Sequence, residues 1–359
     1  MEQPLCEIEL ELKQGQVNDL FEIAYYFINH LPIKLGLLSK AARGYHLAQG
    51  TKLSAKNLES IDYSEPSSLE PEMINILNYA IEFIQHNELV FSQDKRPKSH
   101  RRIMDGVSLI IQALEIFKPY LPDSRCQLFI EQFKRVRKQA RWIEPFYQLE
   151  KLRSRKSPYR KDIEKSEHLL TLLSSRVPSE NKIEAAIESF RGTEFNRLLL
   201  SFIQWISSRG WRNEMSLEHL ANLSLPLKPI AEQCLDDIWQ ALKVEITNLD
   251  IHADNKSLEK VYWALAAGLL NGVAISGLFH DDTRMAFRGH LLNLLHGIEE
   301  AILLNKLQKL LGDEAVQAPH SEALEDINAN FKWINSKRQS LTMALTASMD
   351  AVLKLKPYW

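Results

Sequence analysis

The spacing of apolar positions changes early in the chain. From Cys6 to Lys13 (CEIELELK) Glu7, Glu9 and Glu11 alternate with Ile8, Leu10 and Leu12, the period-2 pattern of a strand with one acidic face. From Asn18 the period is helical: Leu20, Ile23, Ala24, Phe27 and Leu31 form a stripe that Pro32 closes, and a second short helix is expected after Gly36. Residues 51–71 lose this periodicity and gain Ser, Glu and Pro, a composition that predicts a linker between residues 1–50 and 72–359. Beyond it, stripes at 72–92, 100–119, 125–153, 160–175, 193–209, 227–246, 256–279, 283–311 and 320–354 each predict a helix. Short breakers such as Pro122-Asp123, Ser157-Pro158 and Asp281-Asp282 separate them. The predicted fold class is mainly α: one strand and short helices, then a bundle of eight or more helices held together by packing of their stripes.

Two features of the bundle need a reading. The tryptophans Trp142, Trp205, Trp211, Trp239, Trp263, Trp333 and Trp359 lie along the apolar stripes and are expected in the core rather than as stacking platforms. Val261 to Phe279 carries no charge, approaches the length of a membrane span and contains Gly268-xxx-Gly272. Asn271 and Ser276 interrupt it and no second span or basic flank accompanies it, so the central helix of a bundle is the preferred reading over a span.

Composition narrows the class. The 359 residues carry 44 Lys and Arg against 46 Asp and Glu, a formal charge of -2, which gives no global bias toward nucleic acid or a membrane surface. Cys6, Cys126 and Cys234 are odd in number and far apart, which excludes a disulfide framework and a metal motif of short spacing. The first fifteen residues lack a basic region followed by an apolar run, so no secretory signal is expected and the compartment is read as cytoplasmic.

Three glutamates on one strand face repel one another unless they meet water or a cation. Downstream, SKAARGYHLA places Lys40 and Arg43 at i, i+3, so cations stand close in sequence to that acidic face. With CEIELEL on the strand and LSKAARGYHLAQG after the helix, residues 6–50 resemble the end of a CYTH domain, the triphosphate tunnel fold, as it occurs in bacterial CYTH-CHAD inorganic triphosphatases. The resemblance implies a metal-dependent hydrolysis of tripolyphosphate, with Mg or Mn on Glu7 and Glu9 and phosphate oxygens on Lys40 and Arg43. Glu9-x-Glu11-x-Lys13 satisfies the family's opening motif formally, but a helix and not further tunnel strands follows it. Cys6–Lys13 is therefore read as a closing strand, and the active site as incomplete in this chain, through a late start or a truncation.

Residues 72–359 resemble the CHAD domain of the same proteins. The string SLIIQALEIFKPYLPDSRCQLFIEQFKRVRKQARWIEPFYQLEKL at 108–152 carries the resemblance, with a looser match from LLLSFIQWISSRGW to the terminal KPYW. It implies a helical bundle in two halves with a basic groove for polyphosphate or another polyanion, needing no cofactor; the residues assigned to it are His100, Arg101, Arg102, Lys134, Arg137, Lys138 and Arg141. Met104, Ser108, Leu109 and Ile111 stand where the family repeats arginine, and Trp142 stands where it has an acid, so the groove is thinned.

The charge count points to the same region. Between Lys134 and Lys165 twelve basic residues face four acidic ones, roughly +8 in a chain of net charge -2. Such a stripe binds polyanions by releasing counterions, or else is simply a solvated helix face. The expected partners are inorganic polyphosphate or tripolyphosphate, with a protein as an alternative and neither membrane nor nucleic acid. His290 and His296 are six apart on a predicted helix and do not share a face, and His280-Asp281-Asp282 reads as a helix start with an acidic first turn.

Overall fold

The computed structural model describes residues 6–37, 39–50, 53–63, 66–121, 124–155, 157–252, 254–317 and 323–359. Among them are α1 (Val17–His30), α2 (Lys40–Gln49), α3 (Leu69–Asp94), α4 (Pro97–Phe117), α5 (Ser124–Ala140), α6 (Glu144–Arg153), α7 (Arg160–Ile163) and α8 (Glu167–Ser175). They continue with α9 (Glu180–Arg191), α10 (Thr193–Ser207), α11 (Leu217–Asn222), α12 (Leu227–Thr247), α13 (Asn255–Ile275), α14 (Asp281–Gln317) and α15 (Ala323–Leu353). The fold is all-α, as the apolar periods predict. The chain packs as two compact units, one of residues 1–58, 66–143 and 178–226 and one of 59–65, 144–177 and 227–359.

In the first unit the long pair α3 and α4 is set by its connection. Lys95 takes a left-handed conformation (φ 55°), its N–H caps the Phe91 carbonyl at 2.9 Å, and Pro97 opens α4. Asp94 accepts from the Arg96 N–H at 3.0 Å and from the Ser99 hydroxyl at 2.6 Å, closing the turn. The two helices then approach so closely that a Cβ on Gly106 would lie 2.6 Å from the Ile84 side chain. Phe129 and Phe133 of α5, Phe202 and Trp205 of α10 and Trp211 form one ring cluster with neighbouring centroids 4.9–5.9 Å apart. All five are buried, each contributing about 1.5–3 kcal/mol through area removed from water.

A buried ion pair anchors the same unit. Glu70, 5% exposed, accepts from the Trp211 indole at 2.9 Å and from Arg212 Nε at 2.8 Å, with Arg212 Nη2 on its other oxygen. Burial alone would raise this carboxyl; the bonds from Arg212 and Trp211 outweigh it and hold the pKa below the usual range.

The second unit is built around α13, which packs against α12 and α14, while α15 packs against α14, α12 and α8. The segment 255–278 is long and apolar enough to cross a membrane, yet no residue from 261 to 279 is exposed, so packing accounts for its apolar character. Gly268 lets α12 come near, since a Cβ there would sit 2.7 Å from Leu242. Asp281 and Asp282 open α14, as expected, and both His290 and His296 are exposed on it.

Several expectations are corrected. Cys6–Lys13 forms no strand: the segment from Cys6 to Leu12 is extended but joins no ladder among the described residues, and Ile8, Leu10 and Leu12 are 47%, 37% and 37% exposed. A strand needs a partner for its backbone groups, and alternation alone supplies none. In α1 the buried positions are Phe21 and Ile28, while Ile23 and Leu31 of the predicted stripe are exposed. The stripe is turned toward Leu200 of α10, a surface invisible along the chain.

The expected linker is packed rather than loose. Its Ser54 carbonyl meets His86 Nε2 at 2.9 Å and its Lys56 N–H donates to Asn87 at 3.1 Å. Further on, Ile61 is buried with its N–H on the Val273 carbonyl at 3.2 Å, and the Tyr63 hydroxyl reaches the Ala274 carbonyl. Predicted helix 125–153 breaks at a 3-10 turn over Arg141–Ile143, and 160–175 breaks before Ser166, whose hydroxyl caps the Leu169 N–H at 3.0 Å. Helices α9 and α11 were not foreseen, although Ile183, Ala186, Ile187 and Phe190 make a regular short stripe on α9. The Pro122-Asp123 breaker, Lys156 and the Arg43 side chain lie outside the described residues.

Candidate functional site

The N-terminal acidic and basic residues do meet. Lys40 Nζ lies 3.3 Å from Glu7 and 3.3 Å from Glu9, bridging the two carboxylates, and Glu9 and then Glu7 raise the Lys40 pKa. Glu11 turns instead to Lys13 at 2.9 Å. The ammonium thus takes the position between the carboxylates that a divalent cation would need. Among the described residues no group of three His, Cys, Asp or Glu could hold a metal ion. The residues present do not fit Mg or Mn, and no chemistry is routed through one.

On α4 the structure withdraws the expected basic residues from solvent or pairs them. His100 is 1% exposed and boxed by Phe91, Phe190 and Trp142, with centroids at 5.1, 5.5 and 5.6 Å. Burial lowers its pKa to about 4, so it is neutral at pH 7 and is corrected from a phosphate contact to a core residue. Arg101 and Arg102 both reach Asp105, at 3.1 and 2.7 Å, because residues three and four apart share a helix face.

The end of α5 is different. Lys134, Lys138 and Arg141 are exposed and Arg137 half-buried, with Lys134 on Glu115 at 2.7 Å. Burial first, and then the Arg141 charge one turn on, lowers the Arg137 pKa, so these two guanidiniums stand close enough to repel. Lys182 of α9 adds a further cation, its Nζ 5.0 Å from the centroid of the Trp142 ring. Lys182 lies forty residues away and escaped the chain reading; Trp142, the departure from the family's acid, is the aromatic surface it covers.

The basic stripe from Lys134 to Lys165 is divided between the two units. Its first part belongs to the first unit and residues from 144 onward to the second. There Lys151 pairs with Glu299 at 2.6 Å, Arg160 with Glu164 at 2.5 Å and Lys165 with Asp162 at 3.4 Å. In the first unit the end of α5 carries Arg137, Lys138 and Arg141, with Lys182 over the ring of neighbouring Trp142. Such a cluster can hold several oxyanions at once through screened, salt-sensitive contacts.

No family model matches the chain. The crystal structure of the CHAD domain from the plant Ricinus communis is similar to it over 85% of this chain and 98% of that chain, with a TM-score of 0.59 and 16% identical residues. The likeness gives the helical architecture: this chain has a CHAD fold.

Proposed function

We propose that this chain is a CHAD-fold binding module for polyanions, inorganic polyphosphate first among them, which it engages at the end of α5. One observation carries the reading: Arg137, Lys138 and Arg141 close α5 beside Trp142, over whose ring Lys182 lies, a local excess of positive charge in a chain of net charge -2. In this reading the helices from α3 onward are the module, α1 packs on its first unit through Phe21, Ile28 and Leu200, and the module works in the cytoplasm. Titration of the protein with long-chain polyphosphate at rising salt tests it. Affinity is expected to fall linearly on a log–log plot against salt and to weaken on charge reversal at Lys138 and Arg141. Binding that ignores salt, or no binding at low salt, overturns the reading.

A second reading rests on the Lys40 bridge. The family's triphosphatase assignment for Glu7, Glu9, Lys40 and Arg43 makes this segment the end of a tripolyphosphate-hydrolysing tunnel, inactive in this chain alone because the site is incomplete: Lys40 bridges both glutamates and no third metal ligand joins them among the described residues. Phosphate release from tripolyphosphate with added Mg or Mn is expected to stay at the buffer background. Sustained turnover by the 359-residue protein overturns that inactivity.

A further inference from the structure

The second unit holds two arginines that its own residues leave short of partners. Arg284 and Arg288, one turn apart on α14, line a solvent-open pocket between α12, α13, α14 and the C-terminal segment. Its walls are apolar, formed chiefly by Trp239, Leu242, Leu269, Phe287 and Trp359, and Tyr358 lies beside both arginines.

The Arg284 side chain is 7% exposed. Its Nη2 pairs with Asp281, but Nε and Nη1 are buried and make no hydrogen bond. Arg288 is largely shielded from water, and Nη1 donates to the Leu269 carbonyl at 3.3 Å, a neutral acceptor at long range. Asp281 is 74% exposed and is the single carboxylate paired with either arginine among the described residues. Asp236, on the same side of the unit, accepts from the Trp359 indole at 3.4 Å. A buried guanidinium is costly unless both its charge and its N–H groups are matched. Water in the cavity could satisfy the N–H groups but would leave the charge.

We propose that this pocket is an anion site separate from the α5 cluster, and that it takes a small organic oxyanion, a carboxylate or phosphate monoester, carrying an aromatic or branched apolar body. The head pairs with Arg284 and Arg288, whose forked donors suit two oxygens of one group. The body lies against Trp239, Phe287 and Trp359. Burial lowers the Arg288 pKa, Tyr358 opposes this and Arg284 adds to it, and a bound anion offsets the lowering by supplying countercharge. Arg284 and Arg288 stand among mainly apolar walls, so the pocket suits one oxyanion head with an apolar body better than the repeated charges of polyphosphate. The site shares no residue with the polyanion surface and stands whether or not that surface binds.

The test uses the full chain with three probes: phenyl phosphate, benzoate and inorganic phosphate. Tryptophan fluorescence is the readout, because Trp239 and Trp359 form the walls. Saturable quenching is expected with at least one of the first two, and the tighter of them identifies the head group. Inorganic phosphate is expected to bind roughly tenfold more weakly for want of a body, and Arg288→Gln to weaken the tighter probe by about tenfold. Arg288→Lys, which keeps the charge, is expected to lose less, and it replaces Arg288→Gln if that variant does not fold. The exposed Lys260→Gln is expected to change nothing. The proposal is overturned if neither organic probe saturates in the millimolar range, if inorganic phosphate binds as tightly as they do, or if the Arg288 variants bind like the parent.

Discussion

Arg137 and Arg141 stand one helical turn apart where α5 ends, and Arg284 and Arg288 repeat that spacing where α14 begins. The two pairs have the same composition and one half-buried member each, Arg137 and Arg288, but differ in the other. At the first, Arg141 is exposed to water and salt and Lys138 stands beside it, so the pair suits a long, flexible polyanion held loosely. At the second, Arg284 is buried among mainly apolar walls and a single exposed carboxylate is paired with it among the described residues, so the pair suits one small anion held closely. Identical spacing on a helix therefore carries no fixed function; the dielectric around it decides.

A third arginine sharpens the comparison most. Arg212 meets buried Glu70 with two parallel bonds, the match that Arg284 lacks. Arg212→Ala is expected to cost about 2 kcal/mol in urea unfolding, because Glu70 keeps its burial and loses two charge-assisted bonds, leaving Arg209 at 3.8 Å as its remaining cation. A loss below about 1 kcal/mol would show that the pair is as screened as a surface bridge.

His100 tests burial without a partner. Its folded pKa of about 4 lies below the unfolded value of 6.5, so between those pH values the unfolded chain binds more protons and stability falls as pH drops. About 2 kcal/mol is expected to be lost from this group alone between pH 7 and pH 5. In His100→Phe that part of the pH dependence is expected to vanish, as comparison of urea midpoints at the two pH values would reveal. Equal pH slopes in parent and variant would place the imidazole in water.

The smaller effects break the comparison directly. Arg284→Leu, without added ligand, is expected to leave stability unchanged or raise it by about 1 kcal/mol, since it removes an under-matched buried charge and leaves Asp281 solvated. Thermal unfolding measures this, and a clear loss would mean that the Asp281 pair stabilises the unit. Arg141→Gln is expected to shift stability by less than about 0.5 kcal/mol while lowering the salt slope of polyphosphate binding by about one. A large stability loss there would erase the difference between the two pairs.

Much of the helical architecture was legible along the chain. Long stripes with clear punctuation, such as those of α3, α4, α12 and α13, predict their helices to within a few residues, because burying one face every 3.6 residues leaves a local signature. The tryptophans were legible for the same reason: none of the seven is exposed. Of the candidate site, the nearness of Lys40 to Glu7 and Glu9 and the basic end of α5 could be anticipated. The burial of His100 could not, because its box draws Phe91, Trp142 and Phe190 from three separate segments.

By itself, then, the order of residues determined the all-α class, most helix positions, the acidic start of α14 and the local excess of charge near α5, all properties that depend on neighbours within a few turns. Tertiary structure alone decided that the Cys6–Leu12 segment pairs with no strand, that Ser54 to Tyr63 packs, and that Arg284 and Arg288 differ from Arg137 and Arg141. In sequence, DDTRMAFRGH has the look of any solvated helix start. It becomes a pocket because Tyr358 and Trp359 return beside Phe287, at 5.3 and 5.4 Å, and replace with apolar wall part of the water that would otherwise have screened the charge.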